Sequence, residues 1–153
     1  MVKKAGKAGA KAIIIGCFDD TGLMAARELA ICPVLDIGQP AYRVALLYGG
    51  QFSVVTTLAV SFPILAKNIR AYGPNTNLVR VRASGVPVHA LEDDRDTAMR
   101  QVVDGIRPAL REDDIDCVVL GCAGRVHFVD DADDVPTKLV DGVHAAAHLA
   151  SLF

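Results

Sequence analysis

No apolar run in this sequence approaches the length of about 20 residues that a membrane-crossing helix needs; the longest are cut short by glycine, proline or charge. An excess of one charge sign is also missing. Lysine and arginine total 16 against 18 acidic residues, a formal net charge of −2, so the overall balance does not point to a nucleic acid. The four cysteines, at positions 17, 32, 117 and 122, form no C-x-x-C pair and no Cys/His cluster with zinc spacing. A Walker A loop and a G-x-G-x-x-G fingerprint are absent, which leaves nucleotide binding unsupported. Ser53 lacks the G-x-S-x-G context of a hydrolase elbow. Residues 1–11 are basic, but the apolar stretch at 12–17 is too short for a secretory signal. A cytoplasmic protein with free thiols is therefore expected, with no membrane partner.

What remains is a chain of 153 residues, 52% hydrophobic and 22% charged, enough to bury a core as one domain or two small lobes. Strand and helix patterns alternate along it. Short apolar, β-branched runs at 12–16, 34–37, 52–57 and 117–121 read as buried strands, and 78–82 as a more exposed one. A last short strand is expected at 138–140. Helices are expected at 21–30 with Thr21 as a possible cap, 40–48, 59–72 with Pro63 in the first turn, 97–110 and 143–152. Residues 1–11 read as the end of a helix, their lysines near its C-terminus. Such alternation implies an α/β fold with mostly parallel sheet.

The chain also repeats itself. Ile13-Ile14-Ile15-Gly16-Cys17 has a counterpart in Val118-Val119-Leu120-Gly121-Cys122. After each come a proline, a short apolar strand, an aspartate, a glycine and an Ala-rich helix. Asp36 and Asp141 each fall 19 residues after the cysteine of their half. Chance similarity between two α/β units is the competing explanation. A real duplication gives two similar lobes facing across a cleft, each presenting a cysteine at the carboxyl end of a strand, where open parallel sheets bind ligands. Helix N-termini expected there would favour thiolates, and Gly16, Gly121 and Gly124 would allow tight turns and close approach. Cys32 and Cys117, in apolar surroundings, read as small buried hydrophobes.

Two opposed thiols suit inversion of a stereocentre beside a carbonyl. One takes the proton from one face as thiolate, the other returns a proton to the opposite face, and the roles reverse for the other enantiomer. Thiol pKa values near 8.5 need only modest adjustment. Backbone N–H groups and hydroxyls can stabilise the enolate. This chemistry calls for no cofactor and no metal.

The segments Gly16–Leu23 (GCFDDTGL), Phe52–Thr57 (FSVVTT), Val119–Gly124 (VLGCAG) and Asp141-Gly142-Val143 resemble the aspartate/glutamate/hydantoin racemase superfamily, most closely its hydantoin and allantoin racemase branch. The resemblance implies two pseudosymmetric flavodoxin-like lobes with parallel sheets. Residues 1–47, with 141–153 returning to them, would form a first lobe incomplete at its N-terminus, since the family begins with a further segment carrying an Asn-Pro-Asn-Thr-type motif; residues 48–140 would form the second. It also implies that Cys17 and Cys122 are the catalytic pair and that Phe18, Thr56, Thr57, Ala123 and Gly124 line the substrate site. Arg125 stands where an apolar residue is usual, and Thr21 where proline is common. The expected substrate is a cyclic ureide or amino-acid derivative, and the expected assembly a homo-oligomer, because strand 12–16 would leave an edge to be covered. The alternatives are a non-catalytic flavodoxin-like remnant or assembly module, or a related Cys-dependent decarboxylase or isomerase.

Other candidates fit simpler roles. His144 and His148 share a helix face but lack a third ligand. The acidic stretches Asp130, Asp131, Asp133, Asp134 and Glu92, Asp93, Asp94, Asp96 lack calcium-loop spacing and fit solvated loops and helix caps.

Overall fold

The β-branched strand at the centre of this chain, β3 (Phe52–Thr56), is buried at every residue. It can be so because its side chains alternate between two covered faces. In the computed structural model, which describes residues 1–123 and 135–153, it is flanked by β4 (Leu78–Ala83) on one side and β5 (Cys117–Gly121) on the other, with β6 (Lys138–Asp141) beyond, in the order β4-β3-β5-β6 and parallel at every pairing. Two shorter strands, β1 (Ile13–Ile14) and β2 (Val34–Leu35), pair in parallel as a separate sheet. The fold is α/β with parallel sheets, as the alternation implies.

The helices follow from the same patterns. α1 (Val2–Lys7) and α2 (Leu23–Leu29) belong with the small sheet, where Leu23, Ala26 and Val34 make a small core of their own. α3 (Gly38–Leu46), α4 (Phe62–Tyr72) and α7 (Gly142–Ala150) cover one face of the large sheet; α6 (Arg95–Glu112), preceded by the one-turn α5 (Ala90–Asp93), covers the other. Phe52, Val54, Cys117 and Val119 point into the first layer beside Tyr42, Leu65 and Ile69. Val55, Val118 and Leu120 point into the second, against Ala98, Val102, Ile106 and Ala109, which recur at helical spacing on one side of α6. Pro63 sits in the first turn of α4, where its missing N–H costs nothing.

Four details differ from the sequence reading. Thr21 does not cap α2; Gly22 does, at φ 78°, because the chain enters through left-handed backbone at Asp20 (φ 58°) and Gly22, which a β-branched residue resists. β1 is covered on one side only, and Ile14 keeps 36% of its surface exposed. Cys32 is half-buried, because the stretch between α2 and β2 crosses the surface with Ile31 exposed. Finally, the short α5 has no periodicity long enough to announce it. Asp94 does cap α6, accepting from the Thr97 N–H.

The duplicated aspartates have one shared role. Asp36 accepts from the Gln39 N–H at the start of α3, and Asp141 from the Val143 and His144 N–H groups at the start of α7, each neutralising donors that helix geometry leaves unpaired. The two helix starts meet closely. A Cβ on Gly142 would lie 2.2 Å from the Ile37 carbonyl oxygen and 2.9 Å from the Phe18 ring. Gly142→Ala is therefore expected to cost about 1–3 kcal/mol through overpacking, read as a lower urea midpoint at unchanged slope.

One of the buried carboxylates, Asp113, is paired with an arginine beside the sheet. Asp113 has a fully buried side chain and accepts from the Ser53 hydroxyl at 2.7 Å and from Arg82 Nε and Nη2 at 2.8 and 2.7 Å. The Arg82 guanidinium holds this carboxyl below its ordinary value of 3.8, with the Ser53 hydroxyl adding to the effect against the cost of burial. The native state thus binds this proton less readily than the unfolded chain. Its stabilisation is complete above the ordinary carboxylate value and is lost as pH falls through the depressed native one. Asp113→Ala is expected to lose roughly 3 kcal/mol near neutral pH, since Arg82 keeps only its bond to Glu112 and the buried Ser53 hydroxyl loses this acceptor. The loss should shrink in acid, measured by urea unfolding across a pH series.

Candidate functional site

Loops at the carboxyl ends of parallel strands converge, and here they enclose a cleft of about 300 Å³. Gly16-Cys17-Phe18-Asp19 follow β1, Thr56–Ser61 surround the end of β3, Val88 follows β4, and Gly121-Cys122-Ala123 close β5. Both cysteines of the repeated motif, Cys17 and Cys122, line this one cleft, and both are half-buried. Phe18, Thr56, Thr57 and Ala123 line it with them. Gly124 and Arg125 lie outside the described residues, as do Asp130, Asp131, Asp133 and Asp134.

Each motif residue is held in its own way. Gly121 is required by space: a Cβ there would meet Val54 Cγ1 at 3.0 Å and the Thr56 Cα at 3.3 Å. Gly16 has no such neighbour among the described residues, and the Cys17 N–H donates to the Ile15 carbonyl at 2.9 Å, a three-residue turn centred on Gly16, although neither glycine takes positive φ. The left-handed backbone comes later, at Asp20 and Gly22. α2 begins only at Leu23, so Cys17 precedes a folded turn and does not sit on a helix N-terminus. Phe18, 5% exposed, packs edge-on against Tyr42 with ring centroids 6.1 Å apart. The Thr56 hydroxyl donates to the Gly121 carbonyl at 3.1 Å, tying the ends of β3 and β5 together.

Charge near the cleft is acidic. Asp19 lines it and accepts from the Ser61 hydroxyl at 3.4 Å. Asp20 turns the other way and accepts from the Tyr72 hydroxyl. Burial pushes the Asp20 carboxyl up to about 6, against the lowering effect of the Tyr72 hydrogen bond, with Asp36 adding to the rise. No lysine, arginine or histidine is among the described lining residues. The apolar side chains Leu58, Val60 and Val88 are exposed at the cleft. Sequence reading missed these three, along with Asp19 and Ser61; the rule that ligands sit at strand carboxyl ends would have flagged the stretches after β3 and β4.

The remaining candidates are elsewhere. Cys117 is buried, its sulfur 3.7 Å from the Ala45 carbonyl oxygen, and burial pushes its thiol up to about 11. It is a core residue, as expected. His144 and His148 line a separate groove beside Leu139 and Asp141. Among the described residues no three His, Cys, Asp or Glu side chains converge as a metal site. A larger groove of about 540 Å³ runs between α3 and α7 but contains no thiol. No helix among the described residues is long and apolar enough to cross a membrane.

These features agree with known proteins. The Asp/Glu/hydantoin racemase family model matches residues 1–150. A hydantoin racemase of Rhizobium meliloti is 43% identical over 145 residues, covering 93% of this chain and 59% of that protein. The structure of an allantoin racemase from Klebsiella pneumoniae superposes with a TM-score of 0.92 at 32% identity, covering 99% of this chain and 62% of that one. One from Pseudomonas fluorescens superposes with a TM-score of 0.86 at 33% identity, covering 93% and 61%. The chain thus spans roughly three fifths of the length of these relatives. Its sequence and its parallel α/β architecture together place it in the Asp/Glu/hydantoin racemase family.

Proposed function

We propose that this chain carries the active site of a cofactor-independent racemase acting on a hydantoin-like or amino-acid-like substrate, with Cys17 and Cys122 as the paired acid and base. The observation that carries this reading is that the two cysteines of one repeated motif line the same cleft. In one direction the Cys17 thiolate takes the proton from the stereocentre, leaving a carbanion delocalised onto the neighbouring carbonyl oxygen as an enolate. The Cys122 thiol then returns a proton to the opposite face. The product leaves with Cys17 protonated and Cys122 as thiolate, which is the state that processes the other enantiomer. The Thr57 hydroxyl and backbone N–H groups of the loop after Cys17 are the proposed donors to the enolate oxygen. Phe18, Thr56 and Ala123 shape the site. No redox or metal chemistry enters this cycle.

A cyclic ureide is favoured over a free acidic amino acid by the lining. Asp19 lines the cleft, and its negative charge disfavours a substrate that brings a further carboxylate beside it. The relatives named for hydantoin and allantoin racemisation support the same class. Two lobes, residues 1–47 with 141–153 and residues 48–140, are the proposed frame for two-face chemistry. Homo-oligomeric assembly is proposed from the exposed Ile14, Met24 and Ile31 near the small sheet, and a reducing cytoplasm from the reliance on free thiols.

The test is proton exchange at the stereocentre. Each enantiomer of 5-isobutylhydantoin is incubated in D₂O, and loss of the α-proton signal is followed alongside optical rotation. Cys17→Ser and Cys122→Ser should each abolish inversion. Each should keep some exchange for one enantiomer only, with opposite preference. Equal exchange of both enantiomers by both variants, or none by the unmutated chain, would overturn the two-cysteine reading. A short bifunctional thiol-alkylating reagent, such as a dibromoalkane, should also link Cys17 to Cys122 within one native molecule while the buried Cys117 stays unmodified, read by mass spectrometry.

A further inference from the structure

We propose that Asp20 and Tyr72 are positioning residues that hold the Cys17 loop in place through their mutual hydrogen bond, acting on one face of the proposed site only. The inference rests on the two-cysteine reading for its consequence but on independent geometry for its cause. Between Cys17 and α2 the chain turns back on itself: the Asp20 N–H donates to the Cys17 carbonyl at 3.3 Å, and the Leu23 N–H donates to the Asp20 carbonyl at 3.0 Å. Asp20 takes left-handed backbone without being glycine, a conformation tolerated mainly by aspartate and asparagine and maintained only where surrounding contacts enforce it. The enforcing contact is the Tyr72 hydroxyl, which donates to Asp20 Oδ2 from the last residue of α4.

Tyr72 is itself fixed. Its carbonyl accepts from Arg43 Nη2 at 2.9 Å, and its ring lies against Tyr42 with centroids 6.5 Å apart. Tyr42 also stacks on Phe52 of β3 at 5.9 Å and meets Phe18 edge-on. The residues following Cys17 are therefore seated on two aromatic posts, Phe18 on Tyr42 and Asp20 on Tyr72. Both posts stand on the core of the large sheet, while β1, which delivers Cys17, belongs to the small one. Without these contacts the thiol would be held by the two-residue pairing of β1 with β2, its small core and the long hydrogen bond from Ser61 to Asp19. The second carboxyl oxygen, Asp20 Oδ1, is buried with no hydrogen-bond partner. The charged and titratable groups around Asp20 are Asp36, Arg27, Asp19 and Tyr72. A buried, half-satisfied carboxyl is costly, which fits selection for what it holds and not for stability. Cys122, at the end of β5 within the large sheet, needs no such tether.

Two readouts test this on the full chain. Amide hydrogen exchange of the segment 17–22 should rise at least about tenfold in Tyr72→Phe and Asp20→Ala, whereas Asp20→Asn, which keeps both the acceptor and the left-handed preference, should restore most of the protection. In the D₂O assay the same two variants should lose about tenfold or more of the exchange of one enantiomer, the one whose proton Cys17 removes, with little change for the other; Asp20→Asn should recover most of the loss. Unchanged protection of 17–22 overturns the proposal, and does so even if the unmutated chain proves inert, an outcome that would instead sink the racemase reading. Equal losses for both enantiomers, or no rescue by Asp20→Asn, would reduce Asp20 and Tyr72 to general stabilising residues and also overturn it.

Discussion

The close contact between the starts of α3 and α7 is the constraint on which the rest of this structure depends. Two helix N-termini, each with partial positive charge and unpaired N–H groups, are brought together where Gly142 faces the Ile37 carbonyl oxygen. Such an approach is tolerable because Asp36 and Asp141 satisfy the donors of their own helices and because residue 142 has no side chain. With that junction formed, Phe18 is pressed between Gly142 and Tyr42, and the strand end bearing Cys17 is committed to the same side of the molecule as the strand end bearing Cys122. The cleft is thus a by-product of how the starts of α3 and α7 pack.

Polar groups are divided between two places with different purposes. Asp113, Arg82 and Ser53 are mutually paired and charge-assisted, and they steady the edge strand β4 against the strand beside it. Around Asp20, Asp36, Tyr42 and Tyr72, by contrast, several buried oxygens have no hydrogen-bond partner. A protein optimised only for stability would replace such groups with apolar ones of similar volume. Their concentration behind the cleft, together with the strained backbone at Asp20, is the arrangement expected where folding energy is given up to hold a loop in a set shape.

Much of this was legible in the sequence because burial on both faces writes itself plainly. CVVLG at 117–121 and FSVVT at 52–56 are apolar or small throughout, and their observed limits nearly match the runs themselves. The repeated Gly-Cys marked two strand ends that line one cleft, and the matched aspartates marked two helix starts. The cap of α2 was misread because Thr21 is a good capping residue in general, whereas the route into this helix demands left-handed backbone. Leu58, Val60 and Val88 escaped notice because an apolar residue in a loop looks the same whether it lines a cleft or merely faces water. The tie between Tyr72 and Asp20 spans 52 residues, and no local pattern encodes a bond of that range.

The two glycines that precede the cysteines look equivalent in sequence but differ in their surroundings. Gly121 is enclosed by Val54 and Thr56, while Gly16 faces open space among the described residues. Mutational tolerance is consequently unequal between the halves. The second half is locked by the steric demands of the large sheet, so drift there is purged by folding before any chemistry is tested. The first half has room for a side chain beside Cys17. A side chain introduced at position 16 therefore alters the cleft without first meeting the described core.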